Sequence, residues 1–96
     1  MSTNRPSATP TVQIKNDCVI VTEWRFPPQG ETGWHRHAHD YVVVPQTTGQ
    51  LLLDTADGER TAELVNGMAY YRDKGVEHNV INPNDHEFVF VETEIL

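Results

Sequence analysis

Three of the five histidines in this chain alternate through one short stretch, Gly33-Trp34-His35-Arg36-His37-Ala38-His39-Asp40-Tyr41. Neutral imidazole is the commonest metal ligand that proteins use. Alternate residues of a β-strand point to the same face. If the stretch is extended, His35, His37 and His39 share one face, and Arg36, Ala38 and Asp40 share the other. Two imidazoles two residues apart on a strand can grip one ion. The chemistry then depends on a further ligand from elsewhere in the chain. His86 lies among turn residues and is expected in solvent.

The elements that must position these side chains read as strands. Thr11 to Lys15 and Cys18 to Phe26 are expected as the first two, joined by an Asn16-Asp17 turn. Cys18, beside Val19, Ile20 and Val21, reads as an inert strand residue. A loop with two prolines and two glycines, Pro27 to Gly33, leads into the histidines. The histidine stretch is expected to run on as strand through Tyr41 to Val44, with Pro45 marking an edge or a bulge. Leu51 to Asp54 and Arg60 to Val65 flank Asp57-Gly58, the strongest hairpin signal present. Asn66-Gly67 reads as a second hairpin-type turn before Met68 to Arg72. Val76 to Ile81 and His86 to Leu96 complete the set, with Phe88, Phe90 and Glu92 on one face of the last strand. Roughly eight or nine short strands, with turn signals every 8–12 residues, predict an all-β sandwich, jelly roll or barrel. The polar residues 1–10, with two prolines, read as a flexible leader before a single domain over residues 11–96.

Composition narrows the partners. At 96 residues the chain fits one domain. A formal charge of −7 disfavours nucleic acid and anionic membranes. No apolar run approaches the roughly 20 residues of a membrane span. A single cysteine forbids an internal disulfide and suits the cytoplasm. A core this small gains from oligomerisation, and a homodimer is expected through the apolar strands at 11–26 and 88–96.

The histidine stretch and the stretch from Gly67 to Asn82 together resemble the cupin superfamily. Its second motif is matched in identity and spacing by Gly67, Gly75, His78 and Asn82, with Asp73 where proline is usual. Its first motif is matched by His35, His37 and the closing Gly49, although Gly30 precedes His35 by one residue fewer than usual. The glutamate of that motif is missing, and its expected place falls on Tyr41 or Val42. The resemblance implies a double-stranded β-helix, a cupin jelly roll, with a metal inside the barrel. His35 and His37 would come from one strand and His78 from a hairpin on the facing sheet. The run from Thr32 to His37, followed by Asp40 to Pro45, further resembles small cupins associated with β-alanine degradation.

Three imidazoles without a carboxylate suit one divalent transition metal, whether Fe, Ni, Mn or Zn. They leave positions open for water or substrate and favour a small anionic ligand. Tyr41 is the expected acid–base residue, with His39, Asp40 and water as other candidates for the missing ligand. Arg36 and Arg72 are candidates for steering an anion, and Trp24, Trp34, Tyr70 and Phe88 for filling the core or lining a pocket. Glu77 is expected on the face opposite His78. The functional expectation is a metal-dependent enzyme, an oxygenase such as a dioxygenase, an isomerase, a decarboxylase or a hydrolase. The alternative is a non-catalytic metal or metabolite-binding module.

Overall fold

The computed structural model describes residues 4–96. These residues form nine strands: β1 (Thr9–Lys15), β2 (Val19–Phe26), β3 (His35–Arg36), β4 (Asp40–Pro45), β5 (Gly49–Thr55), β6 (Gly58–Leu64), β7 (Tyr70–Arg72), β8 (Glu77–Ile81) and β9 (Phe88–Ile95). They make two sheets, one ordered β1-β2-β9-β4-β7 and the other β3-β8-β5-β6. Every strand pairing within them is antiparallel. This is the expected all-β jelly roll.

Alternation along the strands builds the core between the sheets. In β4 the inward residues Tyr41, Val43 and Pro45 are buried while their neighbours are half-buried. In β9 the same period turns Phe88, Phe90 and Glu92 inward. Phe26, Leu51, Leu64 and Val80 close the cluster. Each fully buried Leu or Phe side chain contributes about 1.5–3 kcal/mol. Asp57-Gly58 forms the expected β5–β6 hairpin, where Gly58 takes a φ of 108° that a side chain would oppose.

The structure redraws several boundaries. Asn66-Gly67 is a turn but not a hairpin, because β6 and β7 belong to different sheets. The histidine stretch is not one strand. β3 ends at Arg36, the chain bends over Ala38 and His39, and β4 then joins the other sheet. Pro45 is the last residue of β4, an interior strand, beyond the reach of its neighbour β7. Cys18 precedes β2 and is exposed, its amide held by Asn16 Oδ1 at 2.8 Å. The first strand begins at Thr9, two residues inside the expected leader. Ahead of it Pro6 and Ala8 exchange backbone hydrogen bonds with Glu31, and Ala8 is buried. Residues 1–3 of that leader lie outside the described residues.

Candidate metal centre

The site starts from one cross-strand pair. β3 and β8 are antiparallel neighbours, with His35 directly opposite His78 and Arg36 opposite Glu77. Directly opposed side chains share a face. The ladder continues past β3, where the amide of His37 donates to Val76 O at 2.9 Å and that of Gly75 to His37 O at 2.8 Å. His37, two residues from His35, therefore falls on the same inward face. His78 thus comes from the adjacent strand of the same sheet, not from the facing sheet as expected. Glu77 and Arg36 take the other side, 3.9 Å apart and exposed.

The loop before β3 is fastened to β8. Gly33, with a φ of 88°, turns its amide to Asn79 Oδ1 at 2.9 Å. Its carbonyl meets Nδ1 of His35 at 2.9 Å. A carbonyl can only accept, so Nδ1 carries the proton. In neutral His35 the Nε2 lone pair then points into the barrel. The three Nε2 atoms converge there. His35 and His37 are 3.0 Å apart, His37 and His78 3.1 Å. The ligand atoms of all three lie within 4.8 Å of one another.

This donor set fits a metal. With their Nε2 atoms unprotonated, the three rings aim lone pairs at one point, as a cation requires. His37 is lowered to about 4 by burial, and then by the charges of His35 and His78, so it is neutral at pH 7. His78 is also lowered to about 4, by burial first, then by His35 and Arg72.

A cavity of about 340 Å³ opens beside the histidines. Trp24, Tyr70 and Phe90 line it, with Tyr41 and Glu92 closest to His37. The Tyr41 ring stacks on the imidazole of His37, with centroids 3.9 Å apart and planes 17° apart. Burial, with Tyr70 and Glu92 adding to it, pushes its phenol well above the usual range. Tyr41 therefore stays protonated at neutral pH.

Glu92 went unassigned in the sequence. It is 8% exposed, and its Oε1 lies 3.9 Å from Nδ1 of His37. Burial, and then Glu94, raise its carboxyl to about 7, with Trp24 opposing. With His37 neutral, the two face each other without forming an ion pair at neutral pH. The carboxyl approaches the nitrogen opposite the converging Nε2, so it acts on His37 from behind and does not replace the missing glutamate as a ligand. The signal was the period of β9, which groups Glu92 with Phe88 and Phe90.

The other candidates separate cleanly. His39 lines the cavity but stands outside the converging group. Asp40 Oδ1 accepts from the amide of Lys74 at 2.8 Å and so anchors the β7–β8 loop. Trp34 is exposed, and neither fills the core nor lines this cavity. Phe88 is core, and His86 is exposed as expected. Asn82, the last residue of the second motif, is fully buried and structural. Its amide donates to the carbonyls of Phe26, Pro27 and His86 at 3.3, 3.1 and 2.8 Å.

Comparison with known proteins extends these observations. The cupin domain family matches residues 22–94. The β-alanine degradation protein BauB of Pseudomonas aeruginosa is 68% identical over 91 residues, which cover 95% of this chain and 96% of BauB. The crystal structure of a cupin domain from Bordetella pertussis Tohama I superposes with a TM-score of 0.97 at 66% identity, covering 99% of both chains. The polyketide cyclase RemF of Streptomyces resistomycificus shares the fold, with a TM-score of 0.73 at 23% identity over 97% of this chain and 70% of its own. No helix among the described residues is long and apolar enough to cross a membrane.

Proposed function

The chain belongs to the cupin domain family, and on that premise we propose that it is a metal-dependent enzyme acting on a small anionic metabolite in β-alanine degradation. One divalent transition metal is held by His35, His37 and His78. The observation that carries this is the convergence of three Nε2 atoms at 3.0 and 3.1 Å in a buried pocket. Three neutral imidazoles would suit Fe, Ni, Mn or Zn. The 68% identity to BauB over nearly the whole of both chains supports the process. The reaction class lies among oxygenase (a dioxygenase included), isomerase, decarboxylase and hydrolase.

A metal bound there would polarise a substrate oxygen at an open coordination position. The chain's own residues do the rest. Gly33 O fixes the tautomer of His35. Glu92 faces the outer nitrogen of His37 and acts on that ring through its charge. Tyr41, kept as a neutral phenol against His37, serves as a proton donor to bound substrate. Trp24, Tyr70 and Phe90 exclude water from one side.

The homodimer expected from the sequence belongs to the same proposal. β1 is an edge strand, all seven of its residues are exposed, and Val12 and Ile14 are among them. Its single free thiol suits a cytoplasmic setting.

The test is turnover. Metal-loaded protein is incubated with β-alanine and short carboxylates, with and without oxygen, and products are followed by NMR. Consumption of one of them is expected. Binding without consumption would make the protein a non-catalytic binding module and contradict the enzyme proposal.

A further inference from the structure

A second cavity, about 690 Å³, is lined in part by Tyr41, Tyr70 and His78. These three residues line the first cavity as well, so His78 borders both. The two openings differ in charge. The first has the carboxyls Glu92 and Glu94 on its wall, with the guanidinium of Arg36, which faces Glu77, also on its lining. The second has the guanidinium groups Arg60 and Arg72, with the carboxylate of Glu63 also on its lining.

Arg72 is placed by strand register. In the β4–β7 ladder Tyr41 is opposite Arg72 and Val43 opposite Tyr70. Tyr41 and Val43 face inward and are buried, so Arg72 and Tyr70 leave β7 on the inward face as well. β7 is the edge of its sheet, which puts Arg72 at the cavity mouth.

The guanidinium is held there by partners that leave its charge unanswered. Its carbon lies 4.6 Å from the centre of the Tyr70 ring. Nη1 donates to Tyr71 O at 2.9 Å. Two other arginines in this acidic chain answer to carboxylates, Arg25 to Glu23 and Glu87, and Arg36 to Glu77. Among the described residues Arg72 has no such partner. Glu94 also lies opposite Tyr41, but on β9, with β4 between it and β7.

An arginine fixed by ring stacking and a backbone carbonyl, with donors left over, is prepared for a bidentate carboxylate. We propose that Arg72 is the carboxylate-binding residue of this site, taking the carboxylate of a short ligand whose other end reaches His35, His37 and His78. This rests on the assignment of the three histidines as the ligand-facing centre. It makes the second cavity the entrance for the ligand and a carboxylate the feature by which ligands are selected.

The test uses the full chain incubated with excess Ni²⁺ or Mn²⁺ and desalted, with metal content measured separately. Propionate, malonate and β-alanine are titrated calorimetrically, with propionamide as the uncharged counterpart. At least one carboxylate is expected to saturate the wild type, and propionamide is not. Arg72→Gln should weaken that binding by about 10-fold or more, as expected for loss of a hydrogen bond to a charged group. Arg72→Lys should weaken it less, because the charge remains without the fork. Arg25→Gln, which removes an equal charge away from the cavity, should leave it unchanged. The proposal is overturned if no carboxylate saturates the wild type, if Arg72→Gln binds like the wild type, or if Arg25→Gln loses as much as Arg72→Gln. Metal content tells the two claims apart. A wild type without metal whose carboxylate binding still depends on Arg72 refutes the metal assignment alone. A metal-loaded protein indifferent to Arg72→Gln refutes this proposal alone.

Discussion

Glu92 Oε1 lies 3.9 Å from Nδ1 of His37, and the Nε2 of that same ring lies 3.0 Å from His35 and 3.1 Å from His78. One imidazole therefore separates a buried carboxyl from the candidate metal centre. At 3.9 Å, beyond hydrogen-bond range, the carboxylate acts on the ring through its charge, which makes the ring a better donor to a cation. Glu92→Gln keeps the shape and removes the charge. Metal affinity measured by chelator competition should fall about 10-fold, with one metal per chain still reached at saturation. Unchanged affinity would remove Glu92 from the site.

The same residues set opposing pH dependences in the metal-free protein. His37 and His78 are lowered to about 4 in the folded state. Unfolded, each binds a proton below about 6.5. Between those limits only the unfolded chain is protonated, so each histidine makes stability rise with pH. Glu92 is raised to about 7, against a reference of 4.5. Between those limits the folded state holds the extra proton, and its contribution falls as pH rises. From pH 4.5 to 6.5 the three groups together leave a rise equivalent to about one proton, about 1.4 kcal/mol per pH unit. In Glu92→Gln the opposing contribution disappears, so the rise should steepen to about two protons. Urea denaturation at several pH values measures both slopes, and equal slopes would show that Glu92 is not protonated in the fold.

Tyr41→Phe separates stacking from proton donation. The ring that covers His37 is kept, so metal content and thermal midpoint should stay near wild type. Turnover should fall by about 10²-fold or more if the phenol donates a proton. Full activity in this variant would limit Tyr41 to packing.

Asn82 tests the motif's structural arm. Asn82→Ala removes the amide shared by the carbonyls of Phe26, Pro27 and His86, of which Pro27 O keeps the Gly30 amide. A loss of about 2–4 kcal/mol in denaturant stability is expected. A change below about 0.5 kcal/mol, within the range of ordinary surface substitutions, would contradict that role.

The fold was readable because β-strands announce themselves by alternation and by turn residues. Asp57-Gly58 marked its hairpin, and the Tyr41-Val43-Pro45 face was buried as the period requires. The histidine pair was readable from residue type and spacing, and His78 from the resemblance of its stretch to the second cupin motif. The rest depends on what a local pattern cannot carry. Alternation alone put His39 beside His35 and His37, but the chain changes sheets at Ala38 and His39, which breaks the period. Asn66-Gly67 looked like a hairpin because its turn chemistry is the same whether the next strand pairs back or crosses over. Glu92 was visible as an inward carboxyl on β9, yet only the β2-β9-β4 order brings it to His37. Arg72 could not be told from a solvated edge residue until its register with Tyr41 was known.

The central claim is that His35, His37 and His78 hold one metal ion. Elemental analysis of the wild type and His78→Ala, both incubated with equal amounts of Fe, Mn, Ni and Zn and desalted, tests it most directly. The wild type should retain about one equivalent of a divalent transition metal per chain, and folded His78→Ala less than about a tenth of that. A wild type that retains none, or a His78→Ala variant that retains as much as the wild type, would contradict the claim.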